Sequence, residues 1–287
     1  DTRYPNPIID INGKTHSYKD GNYGPDVASD FICDFIDQNA DSTFFVYYPM
    51  MLVHCPFVPT PKSKNWNPED MGSEEYKGYG DSVEMKMNFK DMVAYTDYLV
   101  GKIIDKLDEK GLRENTLIVF TGDNGTDLPI VTNMGNGGKV IGAKGSTIDS
   151  GTHTPFMASW PGKIEPGLVT KELADLTDVF PTLCRAAKID LPQNVKLDGN
   201  IFLPFLRSKE ETSREWIYSW YHPRMEPGNR KEWARNEKYK LYRTGELYNV
   251  LEDHFETSPL DPLTEEQIQI KQKFQKVLDN YNFRQEI

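Results

Sequence analysis

The chain reads as an α/β fold: a mostly parallel sheet flanked by helices, then a small antiparallel sheet packed with a C-terminal helix. Three observations predict it. Two short apolar runs, Thr43–Tyr48 and Thr116–Thr121, have the length and residue types of buried parallel strands. Stretches with helical spacing of apolar residues alternate with them. After about residue 205, short aromatic runs alternate with turn signals and a last amphipathic pattern closes the chain.

Each element has its own grounds. Pro25 opens a helix, since its fixed φ suits a first turn, and Val27, Phe31, Phe35 and Ile36 form its apolar face. Residues 55–82, rich in Pro, Gly, Lys and Glu, read as a long surface loop. A helix is expected over 83–110, with Met87, Met92, Tyr95, Leu99, Ile103 and Leu107 inward and Gly111 ending it. Residues 122–151 carry many glycines and little periodicity, and a loop that long is usually functional. A strand over 155–160 stops at Trp160-Pro161-Gly162. A helix near 176–188 has its regularity limited by Pro181. Residues 216–221, 238–242 and 246–250 read as aromatic strands, with Thr244-Gly245 as a hairpin turn. The closing helix starts at Thr264, which forms a capping box with Gln267, and turns Ile270, Phe274, Val277, Leu278 and Tyr281 to one side. The expected division is 1–205 and 206–287.

Composition narrows the function classes. Hydrophobic residues make up 38% and aromatics 12%, which supports a packed core and argues against disorder. A net charge of -11 argues against nucleic acid or an anionic membrane surface as partner. It leaves room for an anionic substrate, because a local cation can reverse the field. The apolar runs are too short to span a bilayer. Cys33, Cys55 and Cys184 have neither disulfide-framework nor zinc spacing; Cys33 and Cys184 read as buried helix thiols.

The candidate chemistry sits just past strands, where open α/β sheets bind ligands. Asp123 and Asn124 offer a charged and a neutral oxygen, which suit Ca²⁺ or Mg²⁺. Neighbouring strand residues point to opposite faces, so both reach one ion only if the chain turns at Gly125. The bland alternative is an Asn-Gly hairpin turn. His54, before Cys55-Pro56, could hydrogen-bond an anion or protonate a leaving alkoxide, although a lone loop histidine is more often a surface or structural residue. Lys144, between Gly142 and Gly145, is either a point charge for an anion or a solvated lysine. His153 and His222 are further substrate-binding candidates.

The joint order of these segments resembles the type I, formylglycine-dependent sulfatases of the alkaline phosphatase superfamily. Phe44–Pro61 with His54-Cys55-Pro56 resembles their strand and HxP loop. Phe120-Thr121-Gly122-Asp123-Asn124-Gly125 resembles their TSDNG metal motif. Gly142-Ala143-Lys144-Gly145-Ser146-Thr147 and Gly151-Thr152-His153-Thr154-Pro155 resemble their lysine loop and its sequel. Thr177–Leu183, Leu197-Asp198-Gly199, Lys238–Leu241 and Glu246–Asn249 are similar to later family segments. The resemblance implies a Ca²⁺-dependent sulfuric ester hydrolase. In it Asp123 and Asn124 ligate the metal, while His54 and Lys144 hold the sulfate and assist the leaving oxygen. It also implies that His54, Asp123 and Lys144 meet at one crevice, and by family habit a periplasmic or extracellular setting.

Two departures qualify the resemblance. Asp149-Ser150-Gly151 stands where many relatives have Glu-Gly-Gly. No C/S-x-P-x-R motif, the source of the family's formylglycine nucleophile, and no Asp-Asp metal pair occur in the chain. The expectation is therefore a C-terminal portion of a sulfatase, inactive alone, whose partners are a sulfated small molecule or glycan and the missing N-terminal segment. The alternatives are a phosphodiesterase-like phosphoryl hydrolase of the same superfamily and a non-enzymatic sulfate- or glycan-binding module.

Overall fold

A computed structural model describes residues 3–69, 83–135, 137–202, 214–223 and 229–281. The chain forms two compact units: residues 1–116 with 127–141, and residues 117–126 with 142–287.

The first unit begins with the hairpin β1 (Ile8–Ile11) and β2 (Lys14–Ser17), turned by Asn12 and Gly13 at φ 51° and 76°. Two positive φ values suit a type I′ turn, which matches the twist of its strands. Helix α1 (Gly24–Gln38) carries Pro25 in its first turn, as expected. Its buried face is Ser29, Ile32, Cys33 and Ile36, with Phe31 half exposed, so the expected apolar stripe is rotated by about one residue. Helix α2 (Val83–Glu109) buries Met92, Tyr95, Leu99 and Leu107, while Met87 is exposed. Gly111 at φ 67° ends it, and the Leu112 amide closes back on the Leu107 carbonyl at 2.8 Å. The core joins Tyr4, Tyr23, Met92, Tyr95 and Leu99 to Phe57 and Val58. The described part of the 55–82 segment is thus partly core, because two of its apolar side chains turn inward; 70–82 lies outside the described residues. The hairpin β4 (Val131–Asn133) and β5 (Lys139–Ile141) occupies part of the expected glycine-rich loop.

The stretch 43–48 is extended but joins no ladder. Phe45 and Tyr47 are 68% and 79% exposed, alternating with half-buried Phe44, Val46 and Tyr48. In the second unit, β3 (Ile118–Thr121) pairs antiparallel with β6 (Phe156–Ser159). Every strand pair among the described residues is antiparallel, so the reading of 43–48 and 116–121 as buried parallel strands is corrected. A continuous apolar run favours a buried parallel strand on average, but the partner β3 has here, β6, runs the other way.

Further along the second unit, α3 (Asp149–Thr152) is a single turn, and α4 (Val179–Ala187) follows a 3₁₀ turn capped by Asp175. Asp178 and Arg214 form a buried forked ion pair at this junction, with Arg214 Nε 2.9 Å from the carboxylate. Gly199 is needed here because a Cβ would fall 1.9 Å from the Thr177 carbonyl. Cys184 is half-buried, not buried as expected. The aromatic strands form one antiparallel sheet, β7 (Ile217–Tyr221), β8 (Lys231–Arg235), β9 (Tyr239–Tyr242) and β10 (Leu247–Asn249), in the order β10-β9-β8-β7. Gly245, at φ 106°, turns the β9–β10 hairpin. Helix α5 (Glu265–Asp279) starts with the expected Thr264–Gln267 capping box. It packs Phe274, Val277 and Leu278 on Ala234, Leu241 and Leu247.

Candidate active site

The site is built where β3 ends. At Asp123 and Asn124 the chain bends, and the backbone beyond is tied down by three hydrogen bonds. The Gly122 amide donates to the Pro155 carbonyl at 3.3 Å, and the Gly125 amide to the Gly151 carbonyl at 2.9 Å. The Lys144 amide donates to the Thr126 carbonyl at 3.0 Å. The second unit therefore brings the Asp123-Asn124 turn, Lys144 and the backbone beside His153 into one neighbourhood. Asp123 and His153 are exposed there, while Asn124 and Lys144 are half-buried.

Glycine is required by close approach. A Cβ on Gly125 would lie 2.0 Å from the Ser150 carbonyl oxygen, and one on Gly151 2.5 Å from that of Ser146. Gly125 is thus demanded by contact and not by a left-handed φ, and Asn124-Gly125 is not a hairpin turn. Gly145 does sit at φ 85°, directly after Lys144.

His153 is held by Asp149 in the turn before it, with Nδ1 3.2 Å from Oδ2. Arg235 meets the other oxygen of the same carboxylate. Burial pushes the Asp149 carboxyl up, but the His153 hydrogen bond and the Arg235 guanidinium outweigh it and hold the group well below its ordinary range. The Asp149 bond raises His153 above its usual value, against a smaller opposing effect of burial. Nδ1 is therefore engaged, and the opposite edge of an exposed ring is presented outward. His222 lies just past β7, edge-on to Trp220 with centroids 5.6 Å apart. The preceding residue, Tyr221, donates to the Gly145 carbonyl at 3.0 Å.

His54 belongs to the first unit. The hydroxyl of buried Tyr4 lies 3.0 Å from the Met51 carbonyl and 2.5 Å from that of His54, which pins the loop and leaves the ring exposed. Nδ1 lies 3.2 Å from Arg3 Nη1 and 2.6 Å from the Cys55 carbonyl. A carbonyl oxygen only accepts, so the shorter contact has Nδ1 donating to Cys55, which leaves Nε2 of the neutral ring as the acceptor edge.

Several contacts around the lysine loop were not legible in the residues. Lys240 is fully buried, its ammonium bonded to the Thr147 carbonyl and 2.7 Å from Glu256. Tyr242 Oη donates to the Glu256 carboxylate and accepts from Thr147 Oγ1 at 2.9 Å. The alternation Lys238-Tyr239-Lys240-Leu241-Tyr242 signals a strand, but a lysine in it reads as solvent-facing.

Asp123 and Asn124 are hard oxygen donors on a turn, the right kind for Ca²⁺ or Mg²⁺. They could fill two of the roughly six to eight positions Ca²⁺ takes. Among the described residues, no group of three or more His, Cys, Asp or Glu is placed to hold a metal. The donors fit in kind and not in number.

The architecture is that of an α/β protein with a sulfatase-like arrangement. A protein solved in complex with k-i-k-neocarrahexaose superposes over 96% of this chain and 57% of its own, with TM-score 0.72 and 22% identity. Another, solved with its substrate D-glucosamine-2-N,6-O-disulfate, superposes over 97% and 72%, with TM-score 0.71 and 16% identity. Human (Homo sapiens) arylsulfatase A is 32% identical over 207 residues, 71% of this chain and 36% of that protein. The uncharacterized sulfatase YdeN of Escherichia coli (strain K12) is 33% identical over 192 residues, 64% and 31%. The chain thus spans about a third of the length of these curated relatives. The family profile described as Sulfatase matches residues 3–189, and that of N-sulphoglucosamine sulphohydrolase, C-terminal, matches 144–283. This chain belongs to the sulfatase family. No helix among the described residues is long and apolar enough to cross a membrane.

Proposed function

We propose that this chain is the portion of a sulfuric ester hydrolase that holds the sulfate and the leaving oxygen of a sulfate monoester. The carrying observation is the backbone tie between Lys144 and Thr126, which sets a lysine beside the Asp123-Asn124 turn. A monoester sulfate is a monoanion, and a half-buried ammonium attracts it more strongly than one in bulk water. Lys144 and His54 take the catalytic roles, Asp123 and Asn124 the metal-ligand roles, and His153 and His222 contact the rest of the substrate. A sulfated glycan is the favoured substrate class, supported by the sugar ligands of the two structural neighbours. An aryl sulfate uses the same sulfate-holding groups. The nucleophile motif and the remaining metal ligands belong to a preceding segment, the chain's partner in catalysis.

The test is an NMR titration of the chain with inorganic sulfate. Shifts are expected at the Lys144 and Asn124 amides, with Lys144→Ala weakening binding by about tenfold or more, the worth of one charged hydrogen bond. Unchanged affinity in Lys144→Ala overturns the assignment. Tighter binding of inorganic phosphate than of sulfate turns the reading toward a phosphoryl hydrolase.

A further inference from the structure

The four-stranded sheet has two unlike faces. Cross-strand register places Tyr218, Ala234 and Leu241 in one row, the face that α5 covers. The alternate residues Tyr221, Trp233, Arg235, Lys240 and Tyr242 occupy the other face. That second face meets the lysine loop at every other residue. Tyr221 donates to the Gly145 carbonyl, Lys240 to the Thr147 carbonyl and Arg235 to the Asp149 carboxylate, while Tyr242 accepts from the Thr147 hydroxyl.

Lys240 is the least expected member. Its side chain is fully buried, between the rings of Trp233 and Tyr242, each centroid 4.7 Å from Nζ. Its counter-ion Glu256 stands at φ 53°, a left-handed conformation that is uncommon for glutamate. Tyr242 also donates to that carboxylate. A buried ion pair seldom adds stability over apolar residues of equal volume, since removing two charges from water costs about what their attraction returns. What Lys240 supplies that a methionine could not is a directed bond to the Thr147 carbonyl, three residues beyond Lys144.

We propose that Lys240 is a positioning residue: with Glu256 and Tyr242 it clamps the Gly145–Asp149 loop to the sheet and so sets where Lys144 stands. The importance of that placement for sulfate rests on the function proposed above; the clamp does not.

The experiment compares the wild type, the charge-free pair Lys240→Met with Glu256→Gln, and Tyr242→Phe, all in the full 287-residue chain. Three quantities are read: the urea midpoint, hydrogen exchange at the Lys144 and His153 amides, and inorganic sulfate affinity. The double variant is expected to keep the midpoint close to wild type while losing about tenfold or more of the protection at both amides, as a local opening would. Tyr242→Phe should lose part of that protection. Burial draws the Lys240 ammonium down to about 8, against the opposing pull of Glu256 and Asp149 and with the Arg235 charge beside it. Protection corrected for intrinsic exchange should therefore fall above pH 8 in the wild type and stay flat in the double variant. Unchanged protection in both variants overturns the clamp, making Lys240 a packing residue only. If the double variant unfolds, Tyr242→Phe and the wild-type pH profile decide. Protection lost with no sulfate bound by the wild type upholds the clamp and defeats the proposed function. Sulfate binding that depends on Lys144 with protection unaffected does the reverse.

Discussion

At the scale of the residue, the pair Asp149–His153 carries a signed dependence on pH. A histidine raised above its ordinary 6.5 adds stability that is fully present below pH 6.5 and lost as pH rises through its folded value. A carboxyl held below 3.8 adds stability present above that value and lost as pH falls through the folded one. The pair is thus fully expressed between these limits. A proton NMR titration of His153 should give a value above 6.5, and Asp149→Asn should bring it back toward 6.5. A histidine that titrates identically in both chains would show that the contact is not made in solution. Residue identity singled out His54, Asp123, Asn124 and Lys144 in loops past strands, and the family resemblance implied that His54, Asp123 and Lys144 meet. Neither could reveal Asp149–Arg235 or Lys240–Thr147, whose partners are 86 and 93 residues apart. Contacts of that separation leave no local pattern.

At the scale of the element, two Asn-Gly pairs teach opposite lessons. Asn12-Gly13 makes a hairpin with both residues at positive φ. Asn124-Gly125 does not, and its glycine answers to the Ser150 carbonyl instead. Dipeptide identity was the same; the surrounding chain decided. Gly125→Ala should force apart the Asp123 turn and the short helix α3, costing about 1–3 kcal/mol as overpacking against fixed backbone does. Urea denaturation measures the cost, and loss of amide protection at Lys144 locates it. A neutral Gly125→Ala would mean that the two segments are not in contact. Helices were the most legible elements, since Pro25, Gly111 and the Thr264–Gln267 box mark their ends through local chemistry. Strand pairing was the least legible, as partner choice depends on segments far apart in the chain.

At the scale of the whole molecule, the chain pairs sulfatase family membership with the absence of a C/S-x-P-x-R motif in its 287 residues. A hydroxyl attacking sulfur needs activation, and two oxygen donors make a weak cation site. The isolated chain is expected to show no turnover of a chromogenic aryl sulfate with Ca²⁺ present, and only weak Ca²⁺ binding by calorimetry. Tight stoichiometric binding that survives Asp123→Ala would place the metal elsewhere, and turnover by rigorously purified chain would reveal a nucleophile not identified here. The α/β class and the closing sheet-and-helix layer were readable from periodicity. Loop geometry was not, because it follows from backbone contacts that side-chain patterns do not encode.

The two-faced sheet also polices its own assembly. If β9 slipped by one residue, Leu241 would turn toward the polar loop and Lys240 toward Phe274 and Leu278. One mistake in strand alignment would thus incur two independent penalties, an ammonium stranded in hydrocarbon and a carbonyl left without a donor. A lysine that looks wasteful in the finished structure would raise the energy of the nearest misaligned register.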